Sequence, residues 1–458
     1  MSDIAGAITA LKTLLGERLS TTPAILDQHG QSEAYFAPTP PDAVAFARNT
    51  QDVSDIVKIC AKHNCPIVPW GVGTSLEGHA LAIKGGVTIN MGEMSQIVEV
   101  YQEDLLAVVQ PGITRETLNE NLRTTGLFFP VDPGANATIG GMTATRASGT
   151  TAVRYGTMKE NVLALEVVLA DGRIIRTGTR AKKSSAGYDL TNLMVGSEGT
   201  LGIITEITLR LQGQPEAIAA AVCDFPNVEA AVNTVITAVQ MGIPMARMEL
   251  IDTLSMQALN QYSQLGLPEK PHLFMEFHGS DISVAEQSEV LKELAADHGG
   301  GDFQWSTKTE DRNRLWHARH NAFFATKALK PGFNGMSTDV CVPISKLAEA
   351  ITDTAKDAAD NGMFAPILGH VGDGNYHTLF LTDPNKPEEL AMAQKLSHRM
   401  NTRALALGGT VTGEHGIGMG KMKYMAEEHG DGWSVMADIK RTLDPQNIMN
   451  PGKVVQVN

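Results

Sequence analysis

Pro69-Trp70-Gly71-Val72-Gly73-Thr74-Ser75-Leu76-Glu77-Gly78 follows the apolar run Ile67-Val68 and forms a tight, glycine-rich loop. A strand that ends in such a loop presents several backbone N–H groups close together, the arrangement a diphosphate needs. Glycine allows both the turn and the close approach of a ligand to the main chain. A nicotinamide-binding Rossmann turn half fits, because Glu93 lies about twenty residues on, where an acidic residue would meet a ribose. The third glycine position, however, holds Leu76, and another strand pattern, Val87-Thr88-Ile89-Asn90, follows in place of a long helix. An ordinary glycine turn fits the loop nearly as well.

Around this loop, residues 43–47, 67–70, 87–90, 105–110 and 162–170 read as strands and 53–63 as a helix. Asp171-Gly172 reads as a hairpin turn into Arg173-Ile174-Ile175-Arg176. Ahead of them, Ile8, Leu11, Leu14 and Leu15 recur at helical spacing, and Pro38-Thr39-Pro40-Pro41 closes that segment. Composition changes again at Gln212-Gly213-Gln214-Pro215. Beyond it, strand patterns at 218–225, 273–277, 337–342 and 378–381 alternate with helical patterns at 227–241, 284–297 and 390–407. The expected organisation is an N-terminal helical segment (1–40), a first domain (41–213), and an α+β second domain (214–458) whose antiparallel sheet carries helices on one face.

A chain of 458 residues exceeds what one core usually supports, so two domains are expected. Net charge is −14, interrupted only by Arg180-Ala181-Lys182-Lys183, which makes nucleic acid and anionic membrane surfaces poor partners. No basic segment precedes an apolar stretch at Met1-Ser2-Asp3-Ile4, and no window approaches a membrane span, so the reading is a soluble, cytoplasmic protein. Cys60, Cys65, Cys223 and Cys341 form no CxxC pair, which argues against an iron–sulfur cluster or a cysteine-rich zinc site and for free buried thiols. Electrons leaving singly would have to pass to an outside acceptor.

A second glycine-rich stretch, Gly369-His370-Val371-Gly372-Asp373-Gly374-Asn375-Tyr376-His377, is followed by Gly413-Glu414-His415-Gly416. A turn between His370 and His377 can fold the chain back so that both imidazoles meet. Glu414 can then complete a two-histidine, one-carboxylate set, with His415 beside it for proton transfer. Spacing alone fits equally well with two satisfied core histidines and glycines that only turn the chain.

Further motifs occur in order: Gln110-Pro111-Gly112, Val131-Asp132-Pro133-Gly134, Thr138-Ile139-Gly140-Gly141, Ala147-Ser148-Gly149-Thr150, Arg154-Tyr155-Gly156, Gly196-Ser197-Glu198-Gly199-Thr200-Leu201-Gly202-Ile203-Ile204 and Asp444-Pro445-Gln446-Asn447-Ile448-Met449-Asn450-Pro451-Gly452-Lys453. As a set they resemble the PCMH-type FAD-binding domain of the vanillyl-alcohol oxidase and p-cresol methylhydroxylase superfamily. Within it the chain resembles the FAD-linked D-lactate dehydrogenase and glycolate oxidase flavoprotein branch, which also holds D-2-hydroxyglutarate dehydrogenases. The resemblance runs from about residue 40 to the end.

The resemblance implies FAD held in extended form. Gly71, Val72, Gly73, Thr74, Ser75, Leu76 and Gly78 would surround the pyrophosphate, and Pro133, Gly134, Thr138, Gly140 and Gly141 would lie beside the flavin. Ser148, Gly149, Tyr155, Glu198, Gly202 and Ile204 would line the remainder, and Asn450 would reach it from the second domain. Noncovalent attachment is implied, although His79 adjoins the loop. The resemblance also implies oxidation of a D-2-hydroxy acid, D-lactate to pyruvate, with hydride passing to flavin N5. A divalent metal (Zn, Mn or Fe) would be held by His370, His377 and Glu414, His415 would take the hydroxyl proton, and Arg319 would hold the carboxylate.

Without the family, Arg319 reads as a surface ion pair beside Arg312 and Arg314, and Trp316 reads as packing. Where 2-hydroxyglutarate enzymes of the branch carry a lysine, before Ser337-Thr338-Asp339-Val340, this chain has none, which favours a monocarboxylate. Phe323, Phe324 and Leu379 can wall the 2-substituent. Rival readings are a glycolate oxidase subunit with an iron–sulfur partner chain, a D-2-hydroxyglutarate dehydrogenase, a silent flavin-binding scaffold and a metal hydrolase. The implied partners are an external acceptor (cytochrome, quinone or electron-transfer flavoprotein), through which the chain would sit peripherally at an inner membrane, and a second copy in a homodimer.

Overall fold

The computed structural model describes residues 2–457, which fall into two compact units. The first comprises Met1–Ser148, Gly156–Gln214 and Glu414–Asn458; the second comprises Gly149–Tyr155 and Pro215–Gly413.

In the first unit Ala43–Phe46, Val87–Asn90 and Ile67–Trp70 pair in parallel, in that spatial order. Such strands are covered on both faces and read as continuous apolar runs, as Val87-Thr88-Ile89 does here with every residue fully buried. The helix Thr50–Lys62, capped by the Asn49 side chain, buries Val53, Ile56, Val57 and Cys60 in the same core. Leu19–Ser20 pairs with Ala43–Phe46, and Ile4–Leu15 adds Ala7, Leu11 and Leu15 to that core. The N-terminal helix and strand thus pack into the core of the first unit.

A second, antiparallel sheet runs Ile97–Tyr101, Leu106–Val109, Ile203–Arg210, Val162–Val168, Ile174–Gly178. Its central strand, Ile203–Arg210, buries Ile203, Ile207 and Leu209.

Residues 448–450 return to the parallel sheet. The Ile67 N–H donates to the Ile448 carbonyl (2.7 Å), and the Asn450 N–H donates to the Ile67 carbonyl (2.8 Å). The Asp444 carboxylate accepts from the N–H groups of Ile448 (3.0 Å) and Met449 (2.8 Å), and Lys440 pairs with Asp444 while donating to the Thr200 and Met449 carbonyls. Ile448 and Met449 are consequently core residues of the first unit. The main segment of the second unit opens at Pro215, and Glu414–Asn458 clusters with the first unit.

Lys453 is fully buried and donates to the Leu81 carbonyl (2.5 Å) and to Asn450 Oδ1 (2.6 Å). Burial pushes its ammonium down to about 7, with Glu198 opposing in part. The folded chain thus binds fewer protons at Lys453 than the unfolded chain between pH 7 and the ordinary lysine value of 10.5. Stability from this group is therefore lost as pH falls toward 7 and regained as it rises. Thermal melts from pH 7 to 9 should rise more steeply in the native protein than in Lys453→Met; parallel profiles would show that Lys453 is not the group responsible.

The second unit is built on one antiparallel sheet, Phe303–Ser306, Ala217–Asp224, His272–Gly279, Met245–Ile251, Ile367–His370, Asn375–Thr382, Asn334–Ser337, with Val340–Cys341 also paired to Asn375–Thr382. Its strands alternate. Met248, Leu250, Met275 and Phe277 face a core closed by the helices Val228–Gln240, Asp281–Asp297 and Leu347–Asp360. The opposite face is covered at one end by the helices Thr253–Ser263, Thr309–His320 and Ala322–Ala328, which pack Leu259, Trp316 and Ala325 on Ile251 and Phe274. Helices thus lie on both faces, and the polar side chains Arg247, Glu249, Glu276 and His278 share the second face. No helix among the described residues is long and apolar enough to cross a membrane.

Candidate active site

Ile367–His370 and Asn375–Thr382 form a hairpin in which Leu368 lies opposite His377 and Ile367 opposite Thr378. Its four-residue turn requires glycine at Gly374, where φ is +80° and a Cβ would lie 2.1 Å from the Val342 carbonyl oxygen. The fold-back puts the His370 and His377 rings edge to face, with centroids 5.4 Å apart.

Both Nδ1 atoms have partners: that of His370 lies 2.7 Å from Glu249 Oε1, and that of His377 lies 3.0 Å from the Thr338 carbonyl and 3.6 Å from Asp339 Oδ1. Donation from Nδ1 fixes the tautomer whose Nε2 lone pair suits a metal. Asp339, fully buried, accepts from the Thr412 hydroxyl (2.6 Å), the Gly413 N–H (2.9 Å) and the Asn375 amide (2.7 Å). It thereby anchors the residue to which Glu414 is joined. His370, His377 and Glu414 each bring a ligand atom to within 4.8 Å of the others. Two oriented imidazoles converging on a carboxylate fit a divalent cation, an arrangement that satisfied core histidines would not need.

Arg319 is not a surface ion pair. It is buried on the helix Thr309–His320, and its Nε and Nη2 donate to Glu249 Oε2 at 2.9 and 2.5 Å. Arg312 and Arg314 lie on the same helix, and Arg314 donates to the Gln264 and Leu265 carbonyls. Trp316 packs, as expected, with the Arg247 guanidinium 4.6 Å from its ring centroid. Phe323 and Leu379 both approach Gly335, whereas Phe324 is 58 % exposed and forms no wall. Tyr155, in the second unit, bonds His278 Nδ1 through its hydroxyl (2.7 Å), and His278 Nε2 lies 2.8 Å from Glu276 Oε1. Burial pushes the Tyr155 phenol up, with Glu276 adding to the rise and Arg154 opposing it. Glu249, Arg247, Glu276 and His278 escaped the motif reading. The alternation of Arg247 and Glu249 with Ala246, Met248 and Leu250 is the signal that marks them.

In the first unit, three stretches expected to hold FAD or to lie beside it come together. A Cβ at Gly71 would sit 2.3 Å from Thr138 Oγ1, and one at Gly199 would sit 2.4 Å from Pro69 Cγ. The Met419 and Gly420 N–H groups donate to the Glu77 carbonyl (2.9 and 3.3 Å). Thr138 caps the helix Ile139–Thr145, its Oγ1 accepting the Gly141 N–H. Thr74, Ser75 and Leu76 are half-buried, Val72 is exposed and Gly78 buried. Pro133 is half-buried, Gly134 exposed and Ser148 buried; Gly149 falls in the second unit. Gly202 lies against Val167, and Ile204 is a buried member of the apolar core of this unit.

Glu198 is buried in the left-handed region at φ +53°, which costs about 1 kcal/mol for a residue with a Cβ. Its carboxylate accepts from the Ile417 and Gly418 N–H groups (2.7 and 2.8 Å) and lies 3.2 Å from His79 Nε2. Burial alone would raise this carboxyl, but His79 and the two N–H groups hold it below the usual range. Three charge-assisted contacts outweigh the backbone strain. The segment carrying His415 is fixed by this anchor. Asn450 donates to the His79 and Glu198 carbonyls (3.1 and 2.7 Å), each of which would cost about 1–3 kcal/mol if left buried and unpaired. Asn450 therefore ties the loops that carry His79 and Glu198 to each other. Main-chain N–H groups crowded among small residues fit an extended dinucleotide such as FAD.

Family models agree with this geometry: "FAD binding domain" matches residues 41–178, and "FAD linked oxidases, C-terminal domain" matches residues 214–454. A zebrafish (Danio rerio) protein named probable D-lactate dehydrogenase, mitochondrial, is 50 % identical over 98 % of this chain and 92 % of its own length. An Arabidopsis thaliana protein named D-lactate dehydrogenase [cytochrome], mitochondrial, is 46 % identical over 98 % of this chain and 80 % of its own. Among solved structures, p-cresol methylhydroxylase with substrate bound shares the fold at a TM-score of 0.77 and 17 % identity, covering 98 % of this chain and 96 % of that one. Motifs, site geometry and relatives converge: the chain belongs to the FAD-linked oxidase family.

Proposed function

We propose that this chain is an FAD-dependent D-lactate dehydrogenase that oxidises D-lactate to pyruvate and passes its electrons to an external acceptor, a cytochrome being the choice its relatives' names favour. The observation that carries the reading is the hairpin that places His370 and His377 together with each Nδ1 already engaged, beside the buried Arg319.

Oxidising a 2-hydroxy acid needs a cation for the carboxylate, a base for the hydroxyl proton and an acceptor for the hydride from C2. FAD, when bound, supplies the acceptor, and a divalent cation held by His370, His377 and Glu414 supplies Lewis acidity at the hydroxyl. Arg319, with only part of its guanidinium committed to Glu249, offers further N–H donors to the substrate carboxylate. His415 takes the hydroxyl proton, on a segment that Glu198 keeps in place. Phe323 and Leu379 offer a methyl group an apolar surface. No lysine stands just before Ser337, and the Asp339 carboxylate is already committed to holding 412–413, so this stretch offers a second substrate carboxylate no cation.

Anaerobic titration of the flavin with 2-hydroxy acids tests the reading. D-lactate should bleach it, and D-2-hydroxyglutarate and L-lactate should do so at least about tenfold less efficiently. Preference for the dicarboxylate, or for the L-enantiomer, would refute the assignment.

A further inference from the structure

The Glu249 carboxylate meets two side chains, His370 and Arg319, and both are hydrogen-bond donors. On the strand Met245–Ile251 it lies opposite His370 in the sheet register, fully buried. One carboxylate oxygen meets His370 Nδ1 at 2.7 Å; the other accepts from Arg319 Nε and Nη2 at 2.9 and 2.5 Å. We infer that Glu249 is a positioning residue that links the two halves of the site, setting the tautomer and basicity of one metal-ligating histidine and the orientation of the carboxylate-binding arginine. The inference rests on the metal and substrate roles proposed above.

The reason is one of donor count. A carboxylate offers acceptors on both oxygens, so it satisfies an imidazole N–H and a guanidinium at once. A glutamine of the same shape has one acceptor and one donor group, and it must leave either His370 or Arg319 facing an N–H. Side-on contact through Nε and Nη2 also fixes the guanidinium plane, which determines how a second carboxylate can meet its remaining N–H groups. Because Glu249 shares its charge between two partners, a change at Arg319 should be felt at His370, although Arg319 is not a ligand. The residue thus makes metal affinity and substrate affinity interdependent.

The test uses the full-length, FAD-loaded protein and Zn(II) or Mn(II), with affinity read by competition against a chelator. Glu249→Gln should weaken metal binding by roughly 10- to 100-fold. It should also raise the D-lactate concentration for half-maximal flavin reduction even at saturating metal, with flavin content unchanged. In Arg319→Met, metal affinity should instead tighten several-fold, because the Glu249 carboxylate then serves His370 alone. Native affinity in Glu249→Gln, or, where that variant does not fold, in Arg319→Met, overturns the inference. A native protein that binds no metal at all would instead refute the metal assignment on which it rests, so the two failures are told apart by the unmutated chain.

Discussion

Prolonged dialysis against a chelator should abolish reduction of the flavin by D-lactate while the flavin stays bound, and added Zn(II) or Mn(II) should restore it. The residues implicated in the two cofactors are largely separate: His370 and His377 sit on one hairpin of the second unit, whereas the glycine loops belong to the first. Loss of the cation removes the Lewis acid without disturbing the N–H groups proposed for the diphosphate. His415→Ala should behave differently, slowing flavin reduction by about a hundredfold or more with metal content intact, since a positioned base contributes roughly that much. Demetallated protein that still reduces its flavin at the native rate, confirmed metal-free by elemental analysis, would leave His370 and His377 as core residues and only His415 with a chemical role.

Gly73→Asp should yield folded protein with almost no FAD. Gly73 adopts φ +75°, and a Cβ there would lie 2.9 Å from the Trp70 ring, so any side chain strains the loop. Aspartate adds a negative charge where two phosphates are to be neutralised. At about 4 Å and an effective dielectric near 20, each such repulsion is worth about 4 kcal/mol, more than a hundredfold in affinity. Gly73→Ala separates the effects, retaining part of the flavin because it carries strain without charge. The visible flavin band against protein absorbance is the readout, and a fully yellow Gly73→Asp would refute the pyrophosphate assignment.

What the sequence made legible followed local rules. Val87–Asn90 and Ile67–Trp70 are short apolar runs bounded by turn residues, and the glycine-rich stretch between His370 and His377 marks its own turn. Met245–Ile251 stayed hidden because Met, Ala, Leu, Glu and Arg are all good helix formers, so propensity opposed the strand that tertiary pairing imposes. Glu249 stayed hidden with it, since a single glutamate between apolar residues reads as a solvated face. The return of residues 448–450 to Ile67 has no local signature at all: it rests on buried polar ties, Lys440 to Asp444 and Asn450 to two distant carbonyls, that exist only once the chain is folded. Domain boundaries drawn from composition cannot register such a return.

That return has a consequence for how the protein is made. The ribosome completes Ala43–Phe46, Ile67–Trp70 and Val87–Asn90 early, but the segment that caps the exposed edge of Ile67–Trp70 is translated only after Pro215–Gly413. Throughout that interval the edge strand lacks its partner, and the carbonyls of His79 and Glu198 lack Asn450. The second unit is thus fully synthesised, and free to fold, before the first can close. A nascent chain stalled inside the second unit would present an open β-edge to its neighbours, and the demand for chaperone cover during synthesis falls on the unit that was begun first.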